Sequence, residues 1–136
     1  HRTMAGSFLA DSFHASVQHI ALATDDIFAT ATALNACGFQ ALPISQNYYT
    51  DLAARFDIPS EKLERLRASN ILYDEDAAGV FFQLYSRPFA GGMFFEIVQR
   101  FGNYKGYGGP NAPFRIAAQK RLMRPKGMPK TSGNGD

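Results

Sequence analysis

One glutamate stands inside a run of large apolar residues, Met93-Phe94-Phe95-Glu96-Ile97-Val98-Gln99-Arg100, and one histidine stands inside a second extended run, Val17-Gln18-His19-Ile20-Ala21-Leu22. Both runs have the period-2 character of strands. A carboxylate among Phe, Ile and Val costs on the order of 3 kcal/mol or more in desolvation unless something neutralises it, and a metal ion does so best. If Ile20 and Leu22 pack on a helix, Phe82, Leu84, Phe95 and Ile97 join them. His19, Gln83, Tyr85, Phe94 and Glu96 then share the opposite, concave face, which is a candidate site.

The elements between these strands follow from local signals. Thr24, Asp25 and Asp26 offer capping oxygens, Ile27, Ala31 and Leu34 recur at helical spacing, and Gly38 supplies a left-handed exit, which predicts a helix over 26–37. Residues 39–44 read as a second strand stopped near Pro43. A helical excursion over 47–69 follows, in two pieces at 48–56 and 61–67. Residues 71–74 are short and extended, 76–79 form a turn, and 80–86 with 93–100 form an antiparallel pair across a loop at 88–92. Beyond Arg100 come a Gly-rich loop at 102–109, a short helix over 113–123 and a tail. The expected division is a lead-in at 1–16, a module at 17–100, the loop and helix at 101–123 and the tail at 124–136.

With 136 residues and 46% hydrophobic content the chain supports one domain with its own core, and disorder is excluded. Its single cysteine, Cys37, permits no internal disulfide and is expected as a small buried apolar residue in a reducing cytosol. No apolar run reaches the roughly 18 residues of a membrane span, and no secretory signal is recognisable, so a cytoplasmic protein is expected. The chain does not begin with Met, and we read it as a piece of a longer polypeptide. Residues 1–96 carry eleven acids against six bases, whereas 97–136 carry eight bases and one acid. The basic end is Gly- and Pro-rich with scattered charges, which suits a solvated extension; neither nucleic acid nor membrane is expected as a partner.

The two strands, in this order and spacing, resemble the signature strands of the C-terminal half of 4-hydroxyphenylpyruvate dioxygenase, a member of the vicinal oxygen chelate superfamily. The resemblance runs from about Ser16 to Gln119. It implies an α+β fold, a βαβββ module with a helical insertion and a C-terminal extension. It further implies that His19 and Glu96 are two of three protein ligands to Fe(II), the third being a histidine from a preceding half. Asn47-Tyr48-Tyr49-Thr50-Asp51, Asn70-Ile71-Leu72-Tyr73-Asp74 and the stretch from Gly106-Tyr107-Gly108 through Asn111-Ala112-Pro113 to Gln119 resemble one branch in particular. There the dioxygenase-like domain follows a sugar-phosphate-isomerase-like barrel that acts as a 3-dehydroshikimate dehydratase. The resemblance implies oxidative decarboxylation of a 2-oxoacid coupled to hydroxylation of an aromatic ring. One departure stands out: Ala112 replaces the phenylalanine with which the dioxygenases close their pocket.

Two histidines and one carboxylate on one side of a metal leave adjacent positions open for a chelating 2-oxoacid and O₂. The same open face suits Mg²⁺, Mn²⁺ or Co²⁺ acting as a Lewis acid on a hydroxy acid. Without the resemblance, His19 reads as a structural histidine and Glu96 as a partner of Arg100 or Arg87. Gln83 and Phe94 are candidate substrate-pocket residues, Gln83 being equally readable as a hydrogen-bonded sheet residue. Gln99 faces the other side and reads as structural. His1 and His14 lack ligand spacing. Asp74-Glu75-Asp76 lacks the Gly and Glu of a calcium loop and reads as a charged turn.

The expected function is therefore the metal-binding half of a dioxygenase-like domain from a bifunctional protein. The alternative is a vestigial module that binds or oligomerises the attached dehydratase. Expected partners are a 2-oxoacid or hydroxy acid and another vicinal oxygen chelate module, either the preceding half or a second copy in a homodimer. The dimer expectation rests on Phe81, Tyr85 and Phe94 lying uncovered on the concave face.

Overall fold

The computed structural model describes residues 19–123. Strand β1 (His19–Ala23) leads to helix α1 (Ile27–Ala36), helices α2 (Gln46–Arg55) and α3 (Ser60–Ala68) form the insertion, and strands β2 (Leu72–Glu75), β3 (Gly79–Tyr85) and β4 (Phe94–Gly102) precede helix α4 (Ala112–Leu122). The four strands form one sheet in the order β1-β4-β3-β2. β1 runs parallel to β4, while β3 is antiparallel to both β4 and β2. The parallel β1–β4 pair requires a crossover, and α1 with the following strands supplies it.

Helix α1 starts where the acidic cluster predicts: the Asp26 carboxylate accepts from Ala29 N–H at 3.1 Å. Its first turn is also tied to the sheet. Gln99 Oε1 accepts from Ile27 N–H at 2.8 Å, and Gln99 Nε2 donates to the Asp25 carbonyl. Gln99 is therefore structural, as expected. Ile27 and Ala31 bury against β3 and β4 together with Phe82, Leu84 and Ile97, and Phe28 meets Phe82 edge-on at 5.8 Å.

Four expectations need correction. Residues 39–44 do not form a strand; they contribute one bridge, Ala41 to Ser86, because Pro43 has no N–H to extend a ladder. Cys37 is exposed, not buried, since it is the C-cap of α1 and the chain leaves through Gly38 at φ 87°. Ile20 and Leu22 share the helix-side face but are 37% and 50% exposed, because β1 is an edge strand and α1 packs over β3 and β4. Phe81, Tyr85 and Phe94 are buried at 1%, 4% and 2% exposure, not open. Their cover comes from the chain's own C-terminal segment: Tyr104 stacks on Phe81 at 5.0 Å, and Arg115 of α4 lies over Phe94 at 5.1 Å.

The Tyr104 hydroxyl donates to Asp74 at 2.5 Å and accepts from Gly108 N–H at 3.2 Å, locking the Gly-rich loop to β2. Burial, then the hydrogen bond to Asp74, pushes the Tyr104 ionisation up to about 12. Because the folded value lies above the ordinary tyrosine value of about 10, the stabilisation is complete below pH ~10 and is lost as pH rises through about 12. Thermal midpoints should fall over that window, and Tyr104→Phe should be less stable at neutral pH yet show a shallower decline. An equally steep decline in the variant would remove Tyr104 as a source.

Candidate metal and ligand site

The sheet register places the expected site residues on one side. His19 pairs with Phe94 and Ala21 with Glu96 across the β1–β4 ladder, and Tyr85 pairs with Glu96 and Gln83 with Val98 across β3–β4. His19 and Glu96 are thus diagonal neighbours on adjacent strands, with Cα atoms about 8 Å apart for ordinary strand spacing and rise. Both line a cavity of about 480 Å³ with Tyr85, Phe94, Arg115 and Gly108.

Each side chain is held by a specific neighbour. The His19 ring stacks on Phe94 with centroids 5.1 Å apart and planes 8° from parallel. Gln83 is 1% exposed, and its Nε2 donates to Tyr85 Oη at 2.8 Å and to Glu96 Oε2 at 3.2 Å. Its Oε1 accepts from Asn111 Nδ2 at 2.8 Å, and Asn111 Oδ1 lies 2.9 Å from the Tyr48 hydroxyl of the helical insertion. A buried chain of amides and hydroxyls therefore runs from Glu96 to α2. Gln83 itself does not line the cavity but orients Glu96, which does.

The donor set fits a divalent cation. Glu96 sits among Phe94, Tyr85 and Val98, is partly buried, and makes no ion pair among the described residues; neither Arg100 nor Arg87 pairs with it. No group of three His, Cys, Asp or Glu side chains comes together among the described residues. Burial, and then the negative charge of Glu96, drives the Tyr85 ionisation far above the ordinary range, so this hydroxyl keeps its proton at any physiological pH. The acidic cluster is used elsewhere: Asp76 Oδ1 accepts from the Ala78 and Gly79 amides, and Asp74 holds Tyr104. His1 and His14 lie outside the described residues.

Ala112 lines the cavity, as its match to the closing position implies, but sequence reasoning missed Arg115, which lines it too; its i, i+3 spacing from Ala112 was the available signal. Among the described residues no helix is long and apolar enough to cross a membrane.

A βαβββ sheet with His19 and Glu96 lining one cavity has the architecture of a vicinal oxygen chelate module. No family model matches the chain. A 3-dehydroshikimate dehydratase of Pseudomonas aeruginosa is 46% identical over 109 residues, which is 79% of this chain and 17% of that protein. A 4-hydroxyphenylpyruvate dioxygenase of the same organism is 37% identical over 121 residues, 86% of this chain and 34% of that protein. Among solved structures, a xylose isomerase-like TIM barrel/4-hydroxyphenylpyruvate dioxygenase fusion protein matches with a TM-score of 0.77 at 44% identity, covering 82% of this chain and 18% of that one. A mutant of 4-hydroxymandelate synthase from Streptomyces coelicolor matches with a TM-score of 0.75 at 30% identity, covering 88% and 34%. The chain belongs to the 4-hydroxyphenylpyruvate dioxygenase-like domains of this superfamily. It spans between about a sixth and a third of the length of these relatives.

Gly108 controls the approach of the loop to the site. It has φ 66°, and a Cβ there would collide with the Gln83 amide. Gly108→Ala should cost about 1–3 kcal/mol by displacing Gln83 and straining the backbone, whereas Gly109→Ala, with nothing within 4 Å of its Cβ, should be nearly neutral. Denaturant unfolding of the two variants compares them, and equal losses would mean that the packing against Gln83 is loose.

Proposed function

We propose that this chain is the metal-binding half of a dioxygenase-like domain carried by a bifunctional protein that also contains a 3-dehydroshikimate dehydratase barrel. The observation that carries this reading is the placement of His19 and Glu96 on one face, both lining one cavity, with no ion pair to Glu96 among the described residues. His19 and Glu96 would hold a divalent cation, Fe(II) foremost, with Mg²⁺, Mn²⁺ or Co²⁺ as alternatives. When bound, the ion would supply adjacent open positions for a chelating 2-oxoacid and, for iron, for O₂.

The chain's own groups do the orienting. Phe94 fixes the plane of the His19 ring, and Gln83 fixes one oxygen of Glu96. Tyr85 accepts from Gln83 through its oxygen, so its retained proton is free to donate to the neighbouring carboxylate. Phe94 and Tyr85 give the cavity an aromatic wall suited to a planar substrate. A missing third ligand would come from a second module seated along β1, an edge strand whose five residues are all exposed. That module is the preceding half of the full-length protein or a second copy of this chain.

A second reading is favoured by Ala112: a methyl group lines the cavity where the dioxygenases place a closing aromatic ring. On that reading the module binds a metal and an acid without turnover, and serves the attached dehydratase as a binding or oligomerising domain. Oxygen uptake by iron-loaded full-length protein with 4-hydroxyphenylpyruvate separates the two; the enzymatic reading requires uptake that Glu96→Ala abolishes.

Metal affinity separates ligand from scaffold. Glu96→Ala should weaken Mn²⁺ binding at least tenfold, because an anionic oxygen in the first shell is lost. Gln99→Ala should lower stability by about 1–2 kcal/mol, through the lost hydrogen bonds to Ile27 and Asp25, without changing that affinity. Titration calorimetry and thermal melts on both variants test the pair. Equal Mn²⁺ affinities would reduce Glu96 to a structural carboxylate.

A further inference from the structure

Arg115 of α4 is partly buried and lines the cavity that His19 and Glu96 share. Its guanidinium carbon lies 5.1 Å from the centroid of Phe94, the ring on which His19 stacks. It lies 5.8 Å from that of Tyr85, whose hydroxyl accepts from the same Gln83 Nε2 as Glu96 does. The guanidinium therefore stands beside the candidate cation site, one aromatic side chain away from each of its two members. Arg115 Nη1 donates to Gln119 Oε1 at 3.0 Å, and Gln119 is buried at 2% exposure with no hydrogen-bond partner for its Nε2 among the described residues. All of these partners of Arg115 are neutral. The ion pairs among the described residues join Arg55 to Asp51 and Arg67 to Glu64, so Arg115 and Glu96 line one cavity without pairing.

A guanidinium anchored through one nitrogen and two ring faces keeps its charge and its remaining donors for an anion. A carboxylate matches it, because its two oxygens accept from the planar fork in charge-assisted hydrogen bonds. We propose that Arg115 binds the carboxylate group of the acid that occupies this cavity, at the same end of the ligand as His19 and Glu96. Arg115 then selects 2-oxoacids and hydroxy acids over neutral carbonyl compounds, whether or not a cation is bound. The charges also make cation and acid support each other: Glu96 opposes an anion until a cation neutralises it, and Arg115 opposes a cation until a carboxylate neutralises it. Only this coupling rests on the metal reading; recognition by Arg115 does not. Arg100 lines the same cavity but is exposed, donates to the Gly106 carbonyl at 3.0 Å and lies over Phe81 and Tyr107, not over Phe94 or Tyr85. It is the natural control.

Calorimetric titration of phenylpyruvate and of its methyl ester into the chain, with a chelator present, isolates the carboxylate charge from any metal contact. Phenylpyruvate should bind about tenfold more tightly than the ester, as one charge-assisted contact gives. Arg115→Gln should abolish that ratio, and Arg100→Gln should leave it within about twofold, since an exposed charge contributes little. Arg115→Lys, which keeps the charge without the fork, should retain part of the ratio and stands in if the glutamine variant does not fold. With Mn²⁺ titrated alone, Arg115→Gln should bind at least as tightly as the parent chain, a direction that damage to the fold would not produce. Equal affinities for the two probes, no binding of either, a ratio that survives Arg115→Gln, or one lost equally in Arg100→Gln would overturn the inference. If the ratio holds while Mn²⁺ affinity is indifferent to His19→Ala and Glu96→Ala, the metal reading falls and the role of Arg115 stands. Mn²⁺ held through Glu96, with no preference between the two probes, would do the reverse.

Discussion

The side-chain amide of Gln83 is the contact on which the site depends. It lies in the middle of the sheet, where an unpartnered amide would cost a few kcal/mol, and its two ends reach different parts of the fold. One end holds Tyr85 and Glu96; the other accepts from Asn111, which in turn meets Tyr48. The helical insertion, the sheet and the C-terminal loop thus share one hydrogen-bond network, and Glu96 is its outermost member. Gly108 is the place where the network admits no side chain, because the loop backbone lies directly against Gln83.

Period-2 alternation made one half of this legible. Once two strands are paired, residue parity alone decides the face, so His19, Gln83, Tyr85, Phe94 and Glu96 could be grouped without knowing the sheet order. Gln99 fell on the other side for the same reason, and its bonds to Ile27 and Asp25 show why a glutamine is kept there. The capping aspartate of α1 and its glycine exit were equally local signals.

The remainder depended on contacts far apart in sequence. Cys37 sits in a helical pattern, but whether a C-cap is covered depends on what the chain does next. Residues 39–44 have strand composition, yet Pro43 limits them to a single bridge. Phe81, Tyr85 and Phe94 were expected to need a partner because nothing in their own strands could cover them. Tyr104 and Arg115 do so from the C-terminal segment, whereas the five residues of edge strand β1 are exposed. Arg115 escaped notice because an arginine on a short helix ordinarily means a solvated face.

The cation site proposed at His19 and Glu96 lies on one face of the sheet, in one cavity. Amide spectra of isotopically labelled chain recorded during addition of substoichiometric Mn²⁺ test it directly, since the paramagnetic ion broadens signals according to distance. The account predicts that Ala21, Glu96 and Gly108 broaden first, while Ala31 on the helix-covered face and Asp76 in the acidic turn persist. Broadening centred on the Asp74–Asp76 turn, with the signals around His19 and Glu96 unchanged, would contradict it.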